Sequence, residues 1–204
     1  MRAILSLAVA SACLAIPACS RAPKFAAPKF VDCYERGCAW YAKGDFDKSI
    51  AAFNQALRLN PNHEPAYNAY NSRGSAWYAK GEYGEATKDY DQALKLWPDH
   101  AAAYTNLAWL QATCPDERYR NGKTAIVNAT QALNRGGEDF WSTQVLAAAY
   151  AEDGQFDKAV EWQTKAIELT AKDKSASDKR KQKLRTRLDL YKQNKPYRDE
   201  PKKP

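Results

Sequence analysis

The chain has 204 residues, 45% of them hydrophobic, 12% aromatic and 27% charged, a length suited to one domain or two small ones with enough apolar material for a core. That composition excludes a fully disordered chain, and nine Gly with ten Pro exclude collagen-like and Pro/Gly low-complexity types. The net charge of +7 is unevenly spread: residues 172–204 carry a net +8, whereas 30–171 carry a net −5. An acidic body with a basic tail gives no nucleic-acid signature, and no nucleic-acid partner is expected.

At the amino terminus, Ala3 to Ala18 is uncharged. It is shorter than the roughly 20 residues of a membrane-spanning helix and reads as the apolar region of a signal peptide over 1–18. Ile16-Pro17-Ala18-Cys19 resembles a bacterial lipobox, with Pro17 a departure from its small residue. The resemblance implies cleavage before Cys19, its lipidation, and membrane attachment through that anchor. Ser20 implies sorting to the periplasmic side of the outer membrane. The alternative is an ordinary secretory signal cut near Ala12 or Ala18. Residues 19–29 read as a tether. Export implies an oxidising compartment. Cys33 and Cys38 are five residues apart, about 140° around a helix, which favours free thiols over a bridge.

From residue 30 the chain repeats itself. Arg36-Gly37-Cys38-Ala39-Trp40-Tyr41-Ala42-Lys43-Gly44-Asp45-Phe46 recurs as Arg73-Gly74-Ser75-Ala76-Trp77-Tyr78-Ala79-Lys80-Gly81-Glu82-Tyr83. Phe53 to Pro61 recurs as Tyr90 to Pro98, and a further copy runs from Leu146 to Phe156 and on through Ala159, Ala166 and Leu169. Ala56, Ala86, Ala93, Ala159 and Ala166 are small enough for helices to approach to about 8–10 Å, with Trp40, Phe53, Trp77, Tyr90 and Tyr150 filling the adjoining grooves. Gly44, Gly81 and Gly154 each follow a helical run and suit a left-handed helix end. Asp45 and Asp157 help start the next helix. Pro61 and Pro98 end second helices.

This pattern resembles the tetratricopeptide repeat, a 34-residue helix–turn–helix unit. Its small and aromatic positions appear as Gly37/Trp40/Ser49/Phe53/Ala56/Pro61 and Gly74/Trp77/Ala86/Tyr90/Ala93/Pro98. The Leu146 copy keeps Ala147/Tyr150/Ala159/Gln163/Ala166, and a third unit holds Tyr104, Leu107, Ala108, Ala125, Ala129 and Ala132. The expected fold is an all-α solenoid: units at 30–63, 64–100, 101–139 with an insertion at 113–122, and 140–173. A basic helix over 174–195, capped by Ser177 and burying Leu184, Leu188 and Tyr191, closes the stack, and 196–204 is a disordered tail. In the insertion, Pro115 ends one helix and Asn121-Gly122 turns into the next.

The resemblance also implies where a partner binds. The second, fifth, ninth and twelfth places of each unit face the concave side, here Val31, Tyr34, Cys38, Tyr41; Asn68, Asn71, Ser75, Tyr78; Ala102, Thr105, Trp109, Ala112; and Trp141, Gln144, Ala148, Ala151. The candidate groove residues are Tyr34, Tyr41, Asn68, Asn71, Tyr78, Thr105, Trp109, Trp141 and Gln144, about half of them expected to be exposed. This aromatic, neutral-polar lining suits an extended peptide or a partner helix of another envelope protein. It lacks the Lys/Asn/Arg clamp of repeats that grip acidic chaperone tails, and the net negative body disfavours an acidic ligand. His63 and His100 occupy equivalent turn places. The absence of H-E-x-x-H, a phosphate-binding Gly loop or G-x-S-x-G argues against an enzyme, and no cofactor or metal is expected. The basic tail offers an alternative activity, binding an anionic lipid surface or an envelope polymer.

Overall fold

A computed structural model describes residues 28–62 and 65–199. The signal peptide, Cys19 and His63 lie outside the described residues. Within them the chain forms α1 (Pro28–Lys43), α2 (Phe46–Leu59), α3 (Ala66–Lys80), α4 (Tyr83–Leu96), α5 (Ala101–Thr113), α6 (Gly122–Gly136), α7 (Phe140–Glu152), α8 (Phe156–Lys172) and α9 (Asp178–Lys192). These are four antiparallel hairpins, α1–α2, α3–α4, α5–α6 and α7–α8, each packed on the next, with α9 against α8 as the closing helix. The all-α repeat architecture read from the sequence is the one observed.

The repeat is held together by a socket in each hairpin. An added Cβ on Gly37 would lie 2.6 Å from the Phe53 ring, and one on Gly74 would lie 2.7 Å from Tyr90. Both glycines exist to let a ring lie directly on helix backbone. In the fourth unit the same pair is Ala147 and Gln163, both fully buried; the ring gives way to a slimmer side chain where the glycine acquires a methyl. In the third unit the pair is Ala108 and Ala129, which lie in one buried cluster.

Helix ends follow the sequence closely. The first helices α1, α3 and α7 end on Gly44, Gly81 and Gly154 at φ 80°, 85° and 78°. Each closes with a pair of reverse bonds, as in Gly44 N–H to Tyr41 C=O and Asp45 N–H to Trp40 C=O, both 3.0 Å. α9 ends in the same way: Asn194 at φ 55° bonds Tyr191, and Lys195 N–H bonds Leu190 C=O, both at 3.0 Å. In this respect it resembles the first helices α1, α3 and α7. Asp45 caps α2 by accepting from Lys48 N–H at 3.2 Å. Asp157 lies inside the first turn of α8, behind Gln155 at the cap, where its charge complements the helix dipole.

Candidate functional site

The first helices α1, α3, α5 and α7 share one face of the stack, and on it the nine candidate groove residues divide. Tyr34, Asn71, Thr105, Trp109 and Gln144 are buried, while Tyr41, Asn68, Tyr78 and Trp141 are half-buried. Three of the buried residues serve contacts between neighbouring first helices. The Tyr34 hydroxyl is 3.2 Å from Ser72 Oγ. Asn106 Nδ2 donates to Asn71 Oδ1 at 2.8 Å. Arg187 Nη1 donates to Gln144 Oε1 at 2.6 Å. Thr105 turns its hydroxyl back to Ala101 C=O at 2.9 Å. Trp141 packs edge-on against Phe140, ring centroids 4.8 Å apart, and Tyr41 against Phe46 at 5.6 Å.

Two of the nine, Tyr78 and Trp109, are brought together, and they meet on the chain's own terminus. Residues 196–199, expected as disordered tail, leave α9 without regular secondary structure and lie across α3 and α5. The Tyr78 hydroxyl donates to Asp199 Oδ2 at 2.9 Å, and Trp109 Nε1 donates to the same oxygen at 3.1 Å. The Tyr197 hydroxyl donates to Asp199 Oδ1 at 3.1 Å. The Tyr197 ring packs on Trp109, centroids 5.9 Å apart. The guanidinium of Arg187, which is 3% exposed, lies over both rings, 4.4 Å from Tyr197 and 4.8 Å from Trp109. Burial, and then the Asp199 charge, push the Tyr78 hydroxyl well above its ordinary range, so it stays protonated and acts as a donor.

The reason this hollow forms at α5 lies in how that helix ends. Its last residues, Thr113-Cys114-Pro115, supply no glycine, so the reverse bonds that close α1, α3 and α7 do not form. Its carbonyls are satisfied from outside: Asn121 N–H bonds Gln111 C=O at 2.9 Å, and Asp199 N–H bonds Thr113 C=O at 2.8 Å. The insertion is fastened beside the hollow. Arg120 pairs with Glu152 at 3.0 Å and donates to the Cys114 and Pro115 carbonyls. Glu152 also receives Arg198 at 2.6 Å, so one carboxylate joins insertion, α7 and tail. Tyr119 packs on Tyr83 at 5.9 Å.

The carboxylate held in the hollow is the chain's own, on Asp199. Neutral donors on Tyr78 and Trp109 do the work a cationic clamp would do elsewhere. Sequence reasoning missed Tyr197, Asp199 and Arg187. Arg187 lies one turn from Leu184 and Tyr191, and a cation on that apolar face is the one signal that pointed to a buried role.

Cys33 and Cys114 are free thiols, so Cys33 is not bridged to Cys38; Cys38 itself is disulfide-bonded, against the expectation of a free thiol there. Burial pushes Cys114 up to about 11, which leaves it protonated and inert. Among the described residues, no group of three or more His, Cys, Asp or Glu is placed to hold a metal ion.

Models of the family described as tetratricopeptide repeat match residues 34–101, 81–113 and 144–173. The chain is a tetratricopeptide repeat protein. It therefore belongs to a class of non-catalytic protein–protein interaction scaffolds. None of the curated proteins compared matches it in sequence. Among solved structures, it resembles a crystal structure of MamA at 22% identity and TM-score 0.57, covering 70% of this chain and 79% of that one. It likewise resembles MamA 41-end from Desulfovibrio magneticus RS-1 at 21% identity and TM-score 0.58, covering 82% and 90%. These are likenesses of fold. Within this tetratricopeptide repeat chain the matched segments frame the insertion, and Tyr78 and Trp109 both fall inside them.

Proposed function

We propose that this protein is an exported scaffold of the bacterial cell envelope, attached through a lipidated Cys19, whose inner face holds an extended segment of another envelope protein. The observation that supports it most is that a non-helical segment, residues 196–199, already lies on that face, bonded through backbone and side chain to α3 and α5. No helix among the described residues is long and apolar enough to cross a membrane. A photo-crosslinker in place of Asn68, half-buried on α3, should capture a recurrent envelope protein. One in place of Val127, 57% exposed on α6, should not. Equal capture from both positions overturns the groove reading. Palmitate labelling abolished by Cys19→Ala checks the anchor, and undiminished labelling rejects it.

A second reading has its own support. Lys179, Lys183 and Arg185 are exposed on α9, a cationic strip suited to an anionic lipid or polymer surface. It predicts binding to phosphatidylglycerol vesicles that falls steeply between low and physiological salt and is lost in Lys183→Glu/Arg185→Glu.

A further inference from the structure

We infer that the hollow between α3, α5 and α9 is a recognition site for extended peptides carrying an aromatic residue two places before a carboxylate, and that Tyr197-Arg198-Asp199 is its resident competitor. The inference rests on the reading of the inner face as a peptide-holding surface, and it specifies the ligand.

Three features of the hollow select that pattern. The first is a main-chain acceptor: Thr113 C=O, left open by the way α5 ends, takes an N–H from the residue that bears the carboxylate. Any residue but proline supplies that bond, so it fixes register without sequence. The second is a pair of donors converging on one point, Tyr78 Oη and Trp109 Nε1, 2.9 and 3.1 Å from a single carboxylate oxygen. A ligand without an acceptor there leaves both donors stranded in an apolar setting, which is the penalty that makes such sites selective. The third is the stacking slot formed by Trp109 and the buried Arg187, filled by the Tyr197 ring. The guanidinium favours the electron-rich face of an aromatic ring over an aliphatic chain. Arg187 Nε and Gln144 Nε2 are buried with no hydrogen-bond partner, so the slot still holds donors that the tail does not use.

Beyond its backbone bond, the Asp199 carboxylate and the seated Tyr197 ring, the tail is held by Arg198 on Glu152 and on Ala112 C=O, and Glu152 keeps its pair with Arg120 when Arg198 departs. A partner segment therefore replaces the tail without exposing an unpaired charge in the wall. Because the competitor is covalently tethered by α9, it acts at a high effective concentration, and a partner prevails by making the same three contacts and extending further along α3 and α1.

The test uses a fluorescein-labelled peptide of residues 195–201, read by anisotropy against the full chain and against the full chain carrying Tyr197→Ala and Asp199→Ala. The vacated chain should bind at least about tenfold more tightly than the unaltered one. Replacing the peptide's own Asp by Ala, or introducing Tyr78→Phe into the vacated chain, should each weaken binding about five- to tenfold. Equal binding by both chains, or indifference to the Asp replacement, overturns the proposal and leaves the tail as a fixed strap. If the double variant loses its helical circular dichroism, hydrogen exchange on the unaltered chain decides instead. Saturating peptide should accelerate exchange over 195–199, and no change overturns the proposal. Crosslinking from Asn68 that fails while the peptide behaves as described sinks the envelope-scaffold reading alone; the reverse result sinks this one alone.

Discussion

At Gly37 and Gly74 the absent side chain is the structural feature. Phe53 and Tyr90 rest where a Cβ would be, so Gly74→Ala forces a 2.7 Å contact and should cost about 2 kcal/mol in urea denaturation. Adding Tyr90→Gln should recover part of that loss, because Ala147 with Gln163 is the same exchange already made in the fourth unit. Charge is handled with similar economy in Arg73, which grips Asp89 with two bonds of 2.6 and 2.7 Å and donates to Asn54 at 2.6 Å. Burial raises the Asp89 carboxyl against the opposing pull of Arg73. Arg73→Met should cost about 3 kcal/mol by stranding that carboxylate, and Arg73→Met/Asp89→Leu should recover most of it. His100 adds a pH dependence. Burial lowers it to about 4, so the folded chain keeps it neutral while the unfolded chain protonates it below about 6.5. Stability is therefore full above that value and declines as pH falls toward 4. His100→Gln should flatten the slope of melting temperature against pH between 6.5 and 5, and an unchanged slope contradicts this account. The glycine and aromatic places were legible because they repeat at a fixed offset. The partnerships of Arg73 and His100 were not, since they depend on which neighbour each faces.

Among the elements, what ends a helix matters as much as what fills it. Gly81 sits at φ 85°, where a side chain is strained, and Gly81→Ala should lower stability by about 1 kcal/mol. Asn194→Gly, relieving the same geometry at the end of α9, should be neutral or slightly stabilising. The insertion is seated more firmly than its irregular sequence suggests. A Cβ on Gly122 would meet Asp153 N at 2.5 Å, so the start of α6 presses directly on the end of α7. Gly122→Ala cannot be absorbed by rotating a side chain and should cost more than Gly81→Ala; equal losses in thermal melts would refute the close seating. Pro61, Pro98, Pro115, Asn121 and Ser177 marked boundaries correctly because each acts on its own few residues of backbone. The 3-10 turn at Glu117–Tyr119 and the fastening of Arg120 to Glu152 were invisible, because their reason lies on another unit.

For the molecule as a whole, stability should spread from neighbour to neighbour, since each hairpin buries its apolar face on the next. Leu184, 1% exposed, anchors the closing helix to α8. Leu184→Ala should cost about 3 kcal/mol and raise hydrogen exchange in α8 and α7 before α2, whereas uniform acceleration would indicate a single cooperative block. The stack was legible end to end in the sequence. The groove was legible only in part. Places that face a ligand in an open array are taken up here by contacts between first helices, as Tyr34 with Ser72 and Asn71 with Asn106 show. The tail's return over Tyr78 and Trp109 follows from tertiary proximity that no local pattern announces. The end of α9 carries one further consequence. It finishes on the same backbone turn as α1, α3 and α7. Splicing a Phe46–Pro61 type segment after residue 195 should add a fifth storey, divert the chain away from its own hollow, and yield a longer array with an unoccupied seat, a route to lengthening the protein by grafting.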